Sequence, residues 1–166
     1  MSGQHVEIRP VRSAEQAQLG AVTVAAYAAA LGPALDDGYA QVLRDVAGRA
    51  TADTVLVAVE GDRVLGGVTY VGDPDSPNAE FPQRDDAGIR YLAVDPAAGG
   101  QGLGALLVRA CIDWARAEGK HRIVLHTIAA LSAAQRLYGR LGFTRAPDLD
   151  WEPEPGLHLV AFTYAL

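Results

Sequence analysis

The sequence has little cysteine, little basic charge and little uninterrupted apolar length, and each shortage excludes something. Cys111 is the single cysteine in 166 residues. No disulfide can form within the chain, and a reducing cytoplasm is the expected compartment. Fourteen basic residues stand against twenty acidic ones, a formal net charge of −6. A nucleic-acid surface is therefore not expected, because phosphate neutralisation needs clustered Lys and Arg. The longest apolar stretches read as broken by charge or glycine well short of a membrane span, and the N-terminus shows no basic-then-apolar export signal. No membrane contact follows from this reading. Gly-Lys-Ser/Thr is missing, which sets aside a nucleotide P-loop, and no metal site is expected.

What is present suits one globular domain over residues 1–166. Hydrophobic residues make up 49% and charged ones 20%, enough apolar material to build a core without staples. The organising stretch is Val94-Asp95-Pro96-Ala97-Ala98-Gly99-Gly100-Gln101-Gly102-Leu103-Gly104-Ala105. An apolar strand runs into a glycine turn and a helix leaves it at once. Such a turn adopts positive φ and lets a ligand approach backbone N–H groups at a helix N-terminus, so the natural guest is a phosphate. Gly100-Gln101-Gly102-Leu103-Gly104-Ala105 also fits G-x-G-x-x-G/A. That dinucleotide motif wants an acid at the end of the next strand, and Arg122 to Thr127 has none.

The rest of the chain alternates strands and helices. A first strand is expected at His5–Arg9, stopped by Pro10, then a helix capped by Ser13 with Gln16 and running to about Ala30, then a second helix from about Gly38 to Gly48. Thr54–Glu60 and Arg63–Val71 flank Gly61-Asp62, a hairpin signal, and Gly66-Gly67 marks a bulge or a close backbone approach. Residues 72–86 form a long loop with Pro74, Pro77 and Pro82, a candidate lid. A central strand, Ile89–Val94, feeds the glycine turn. In the helix that follows, Leu103, Leu106, Leu107, Ala110, Cys111, Trp114 and Ala115 mark the buried face, and Gly119 marks the end. Arg122–Ile128 is expected as a parallel neighbour of the central strand, then a helix capped by Ser132 and closed by Gly142, and a last strand within Leu157–Leu166.

Two stretches together resemble a known family. Residues 99–104 look like the acyl-CoA pyrophosphate loop of the GCN5-related N-acetyltransferases (GNAT), R/Q-x-x-G-x-G/A, and residues 134–143 (AQRLYGRLGF) resemble that family's A-x-x-L-Y-x-x-L-G-F segment. Gly99 stands where the family has Arg or Gln, and Leu131 where it often has Asn. The resemblance implies an α/β fold, a central mixed sheet, partly parallel and splayed, flanked by helices. It implies acetyl-CoA as cofactor, with pantetheine lying along Leu92, Ala93 and Val94 and the pyrophosphate on the backbone of Gly99, Gly100, Gln101, Gly102, Leu103, Gly104 and Ala105. It also implies direct transfer of acetyl to an amine, with Tyr138 as general acid to the departing thiolate. A phenol of pKa about 10 can protonate a thiolate whose acid lies near 8.5. Tyr138 as an ordinary core tyrosine is the plainer alternative.

The central strand carries no Glu, so Glu80, Asp85, Asp86 and His126 are the candidates for the proton acceptor, with Glu80 preferred. Acidic residues crowd three loops: Asp36 and Asp37; Asp73, Asp75, Glu80, Asp85 and Asp86; and Asp148, Asp150, Glu152 and Glu154. They point to a small, cationic amine acceptor steered by negative potential; solvated loops are equally acidic. Tyr27, Tyr39, Tyr91 and Trp151 either wall that site or cover the core. A protein or peptide acceptor, or a non-catalytic acyl-CoA binder, remains open on the same fold, as does a homodimer formed through the last strand.

Overall fold

The computed structural model describes residues 5–166. The start of the stretch read for an export signal lies outside the described residues. Seven strands form one sheet: β1 (Glu7–Pro10), β2 (Thr54–Glu60), β3 (Arg63–Val71), β4 (Asp86–Val94), β5 (Arg122–Ile128), β6 (Thr144–Arg145) and β7 (Leu159–Ala165), in the order β1-β2-β3-β4-β5-β7-β6. The β4–β5 pair is parallel and the other pairs are antiparallel. Five helices accompany them: α1 (Gln16–Leu31), α2 (Asp37–Arg44), α3 (Val46–Ala52), α4 (Leu103–Ala117) and α5 (Ser132–Arg140). This is the mixed, helix-flanked sheet that the sequence implied.

Both faces of the sheet are covered. Leu19 and Val22 of α1 and Val46 of α3 pack on Val55, Val57, Val59 and Val64, while Leu107, Cys111 and Ala115 of α4 pack on Leu56, Ala58, Ile123 and Leu125. Alternate residues of one strand therefore serve two cores, which is why β2 and β3 read as nearly continuous apolar runs. Burial pushes the Cys111 thiol up from its ordinary pKa, so it is an inert packing group.

Several boundaries differ from the sequence reading for identifiable reasons. Ser13 is not the cap of α1. Residues 13–15 form a 3-10 turn whose Glu15 carboxylate accepts the Arg12 N–H at 2.9 Å and grips Arg9 at 2.7 and 2.8 Å. The helix expected over 38–48 is two helices, because the Asp45 backbone leaves the helical region and its side chain takes the Gly48 N–H at 2.9 Å. Ser132 is already helical, preceded by Leu131, which offers no capping oxygen. On α4 the buried stripe takes in Val108 and Ile112, whereas Leu106 is 41% exposed.

Three larger expectations change. Residues 16–35 carry no charge at all, and Ser13–Ala34 is long and apolar enough, at mean hydropathy 1.2, to cross a membrane by length and composition. In the fold its inner side, Leu19, Val22 and Thr23, is instead buried against the sheet and its neighbours. The last strand is not an edge: β7 lies between β5 and β6, so the pairing edge expected for a homodimer is already occupied. Residues 72–85 are also pinned rather than free, since Ser76 Oγ and Asn78 Nδ2 both donate to Asp53 Oδ2 at 2.7 Å.

The Arg9–Glu15 clamp ties β1 to the start of α1. The Arg9 guanidinium holds the Glu15 carboxyl down at about 2, against 4.5 when unperturbed. A depressed folded-state pKa means the contribution is full above the unfolded value and lost as pH falls through the folded one. Thermal stability should therefore drop as pH falls from about 4.5 toward about 2, and Glu15→Gln should lower the neutral-pH Tm and flatten that drop. Melting curves across this range for both proteins check it, and identical profiles would refute it.

Candidate active site

The site is made where a strand loses one of its two partners. Between Gly67↔Ala93 and Thr69↔Arg90, β3 advances two residues and β4 three, so β4 carries one extra residue. Tyr91 has φ +56°, the sole non-glycine with positive φ among the described residues. That is a costly conformation for an L-residue. The ring is held from two directions: the Arg49 guanidinium lies 4.4 Å and the Arg90 guanidinium 4.7 Å from its centroid. Arg49 is 6% exposed and donates to the Val42 and Leu43 carbonyls at 2.7 and 2.9 Å, closing the end of α2.

Past the bulge, β4 leaves β5. The parallel register runs only from Asp86↔Arg122 to Ile89↔Leu125, so one edge of Arg90–Val94 is unpaired. Gly66 permits the approach of β3 on the other edge, since a Cβ there would lie 2.5 Å from the Ala93 carbonyl oxygen. The opening is a cavity of about 420 Å³. Leu92, Ala93 and Val94 form one wall, Tyr27 and Tyr39 another, and α5 with Tyr138 a third; Glu80, Arg90 and His126 supply its ionisable groups.

The glycine turn stands at the head of α4. Gly100 and Gly102 have φ of +82° and +71°, and Gly102 is the N-cap with no side chain to offer. Among the described residues, the N–H groups of residues 99–105 find no acceptor in the chain. At Gly104 a Cβ would lie 3.2 Å from Leu137 Cδ2 of α5, so the turn sits close against that helix. The turn is thus a set of free amides at a helix N-terminus, pressed against the helix that carries Tyr138.

Tyr138 is buried, its ring 5.7 Å from Phe143 and 5.9 Å from Phe162. Its hydroxyl has no hydrogen-bond partner among the described residues. Burial, with Cys111 nearby, raises the phenol above its ordinary pKa, so it stays protonated at neutral pH. Tyr27 is raised in the same way, and Tyr39 is pushed up to about 12 by burial. Of the four acceptor candidates, Glu80 and His126 reach the cavity. Arg90 Nη2 lies 3.1 Å from Glu80 Oε1, and His126 Nδ1 lies 3.8 Å from Glu80 Oε2. Asp85 and Asp86 sit at the other end of β4 and do not line it; Asp86 is fully buried and held by Arg122 at 2.8 and 3.2 Å.

The acidic loops are mostly occupied with themselves. Asp36 caps α2 at Tyr39 N, Asp75 pairs with Arg84, Asp150 pairs with Arg145, and Glu152 accepts Gly156 N. Of the acidic residues named from the sequence, Glu80 alone lines the cavity. Trp151 does not line it, whereas Tyr27, Tyr39 and Tyr91 do. The sequence reading missed Arg49 and Arg90. Arg90 had a signal, a charge interrupting an apolar central strand; Arg49 had none, since its role depends on α2 ending over Tyr91.

These features fit an acyl-CoA. Free amides at 99–105 suit a pyrophosphate, an unpaired strand edge suits an extended amide-bearing chain, and the cavity at Tyr138 suits the acyl end. A sheet opened beside its parallel pair, with such a turn at the head of the next helix, defines the class of acyl-CoA-dependent transferases. The chain belongs to the GNAT acetyltransferase family, whose model matches residues 23–143. Solved structures of similar fold include a GNAT acetyltransferase from Brucella melitensis in complex with acetyl-CoA, 24% identical with a TM-score of 0.63 over 99% of this chain and 92% of that one. Another is a PaiA N-acetyltransferase from Thermoplasma acidophilum in complex with coenzyme A, 14% identical with a TM-score of 0.71 over 96% and 99%. A mycothiol acetyltransferase from Arthrobacter sp. (strain FB24) is 42% identical over 69 residues, which is 41% of this chain and 21% of that protein. The match thus spans about a fifth of that relative's length. The family uses acetyl-CoA.

Placing a Cβ at Gly102 meets no atom within 4 Å, so its whole effect is on the backbone. Gly102→Ala should cost about 1–2 kcal/mol through the left-handed conformation. It should also weaken acetyl-CoA binding by disturbing the amide set. Calorimetric titration with acetyl-CoA alongside a thermal melt checks this; unchanged affinity would separate the turn from the cofactor.

Proposed function

We propose that the protein is an acetyl-CoA-dependent N-acetyltransferase acting by direct transfer on a small primary amine that arrives as an ammonium ion. The observation that carries this reading is the meeting of Tyr138, Glu80 and His126 around one cavity at the point where β4 and β5 part. Bound acetyl-CoA supplies the acetyl group as a thioester, and transfer to the amine exchanges a C–S bond for a C–N bond. The chain must take one proton from the nitrogen and return one to the sulfur.

Glu80 is the anionic partner for the incoming ammonium. Arg90 holds one of its oxygens at 3.1 Å, and the other lies 3.8 Å from His126 Nδ1. His126 Nε2 lies 2.9 Å from the Leu149 carbonyl oxygen, and only an N–H can be shared with a carbonyl. In the neutral ring Nδ1 therefore holds the lone pair and accepts the proton. Tyr138, kept protonated by burial, is the donor to the leaving sulfur. The free edge of Arg90–Val94 positions the acyl end, and the amides of 99–105 anchor the phosphates. A buried single thiol supports a cytoplasmic setting.

Tyr138→Phe keeps the ring packing and removes only the proton. Its kcat for thiol release should fall roughly 10²-fold, with acetyl-CoA affinity kept. Thiol-release kinetics paired with calorimetry check this. Unchanged kcat would remove Tyr138 from the chemistry, and acetyl-CoA binding without release on any amine would leave a binder in place of an enzyme.

A further inference from the structure

The Glu80–His126 pair has a second cavity on its other side. This cavity, of about 370 Å³, shares Glu80 and His126 with the first and no other residue. Those two are also its only ionisable lining groups; Phe81, Val124, Leu149 and Trp151 supply apolar walls. We infer that this second cavity receives the body of the acceptor, and that the acceptor is a primary amine carried on a flat apolar group such as an aromatic ring.

The geometry makes the case at three points. The walls are built, not incidental: a Cβ on Gly88 would lie 3.2 Å from Phe81 Cδ1, so the ring lies directly on the β4 backbone. Trp151 is held by paired backbone bonds with Leu159, at 3.2 and 3.0 Å, yet is 47% exposed. Aromatic surface of that kind gains by being covered.

The second point is an unmet hydrogen bond. The His126 side chain is 7% exposed, and Nδ1 is buried with no partner. In the neutral ring, with Nε2–H committed to Leu149, Nδ1 is an acceptor, and it faces another acceptor, Glu80 Oε2, at 3.8 Å. Two facing acceptors are satisfied together by a donor with several N–H bonds, which is what an ammonium group is. The third point is what the walls exclude. A polyamine would bring further ammonium groups to a cavity whose lining holds no second carboxylate to pair with them. The acceptor thus carries one ammonium at the boundary between the cavities and a hydrophobic body behind it.

The inference rests on the N-acetyltransferase reading, and one pair of measurements separates the two. The first is calorimetric titration of the acetyl-CoA-free protein with 2-phenylethylamine, ethylamine and spermidine. The second is thiol release on the same amines with acetyl-CoA present. The aromatic amine should bind at least about tenfold more tightly than the other two, because only it can bury a ring against Phe81 and Trp151. Trp151→Ala and Phe81→Ala, each verified by circular dichroism and by acetyl-CoA affinity, should each weaken that binding about tenfold and raise KM more than they lower kcat. Equal binding of all three amines, preference for spermidine, indifference to both variants, or no amine binding would overturn the inference. Turnover without aromatic preference would overturn it and leave the transferase standing. Aromatic binding without turnover would uphold the second cavity and remove the transferase.

Discussion

Everything in the site depends on β4 serving two neighbours on different terms. It stays paired with β3 up to Val94 but is released from β5 after Ile89. A strand can do this only by changing direction, and the extra residue at Tyr91 makes the change. The strained backbone there persists because Arg49 and Arg90 fix the ring.

The same constraint sorts the charged groups. Asp86, at the end where β4 and β5 are still paired, is buried on Arg122 and serves the fold. Glu80 and His126 line the cavity at the end where the strands have parted. Two carboxylates six residues apart thus have different surroundings, one buried in an ion pair and the other lining a cavity. Glu80 and His126 line both this cavity and the second one beside it.

Some of this was legible in the residues. The glycine turn, the hairpin at Gly61-Asp62, the strand at Arg122–Ile128 and the stop at Gly142 follow from local backbone preference, and local rules sufficed. The resemblance of residues 99–104 and 134–143 to a family brought the fold, the cofactor and Tyr138 with it. Boundaries failed where a side chain found a better partner than its own helix, as Glu15 and Asp45 did. The acidic loops misled because a carboxylate count says nothing of caps and ion pairs already formed. Leu106 and Val108 exchanged places because α4 meets a broad sheet instead of a narrow seam.

The sequence by itself determined the elements, their order, the glycine turn at the head of α4 and the residue types available for acid and base work, because these depend on neighbours a few positions away. Tertiary structure alone decided that Glu80 and not Asp85 or Asp86 enters the cavity, that His126 keeps an unmet acceptor, that Arg49 and Arg90 hold Tyr91, and that β7 is an interior strand. Each of these depends on where two strands part and on what is packed across the gap, and those contacts join residues tens of positions apart.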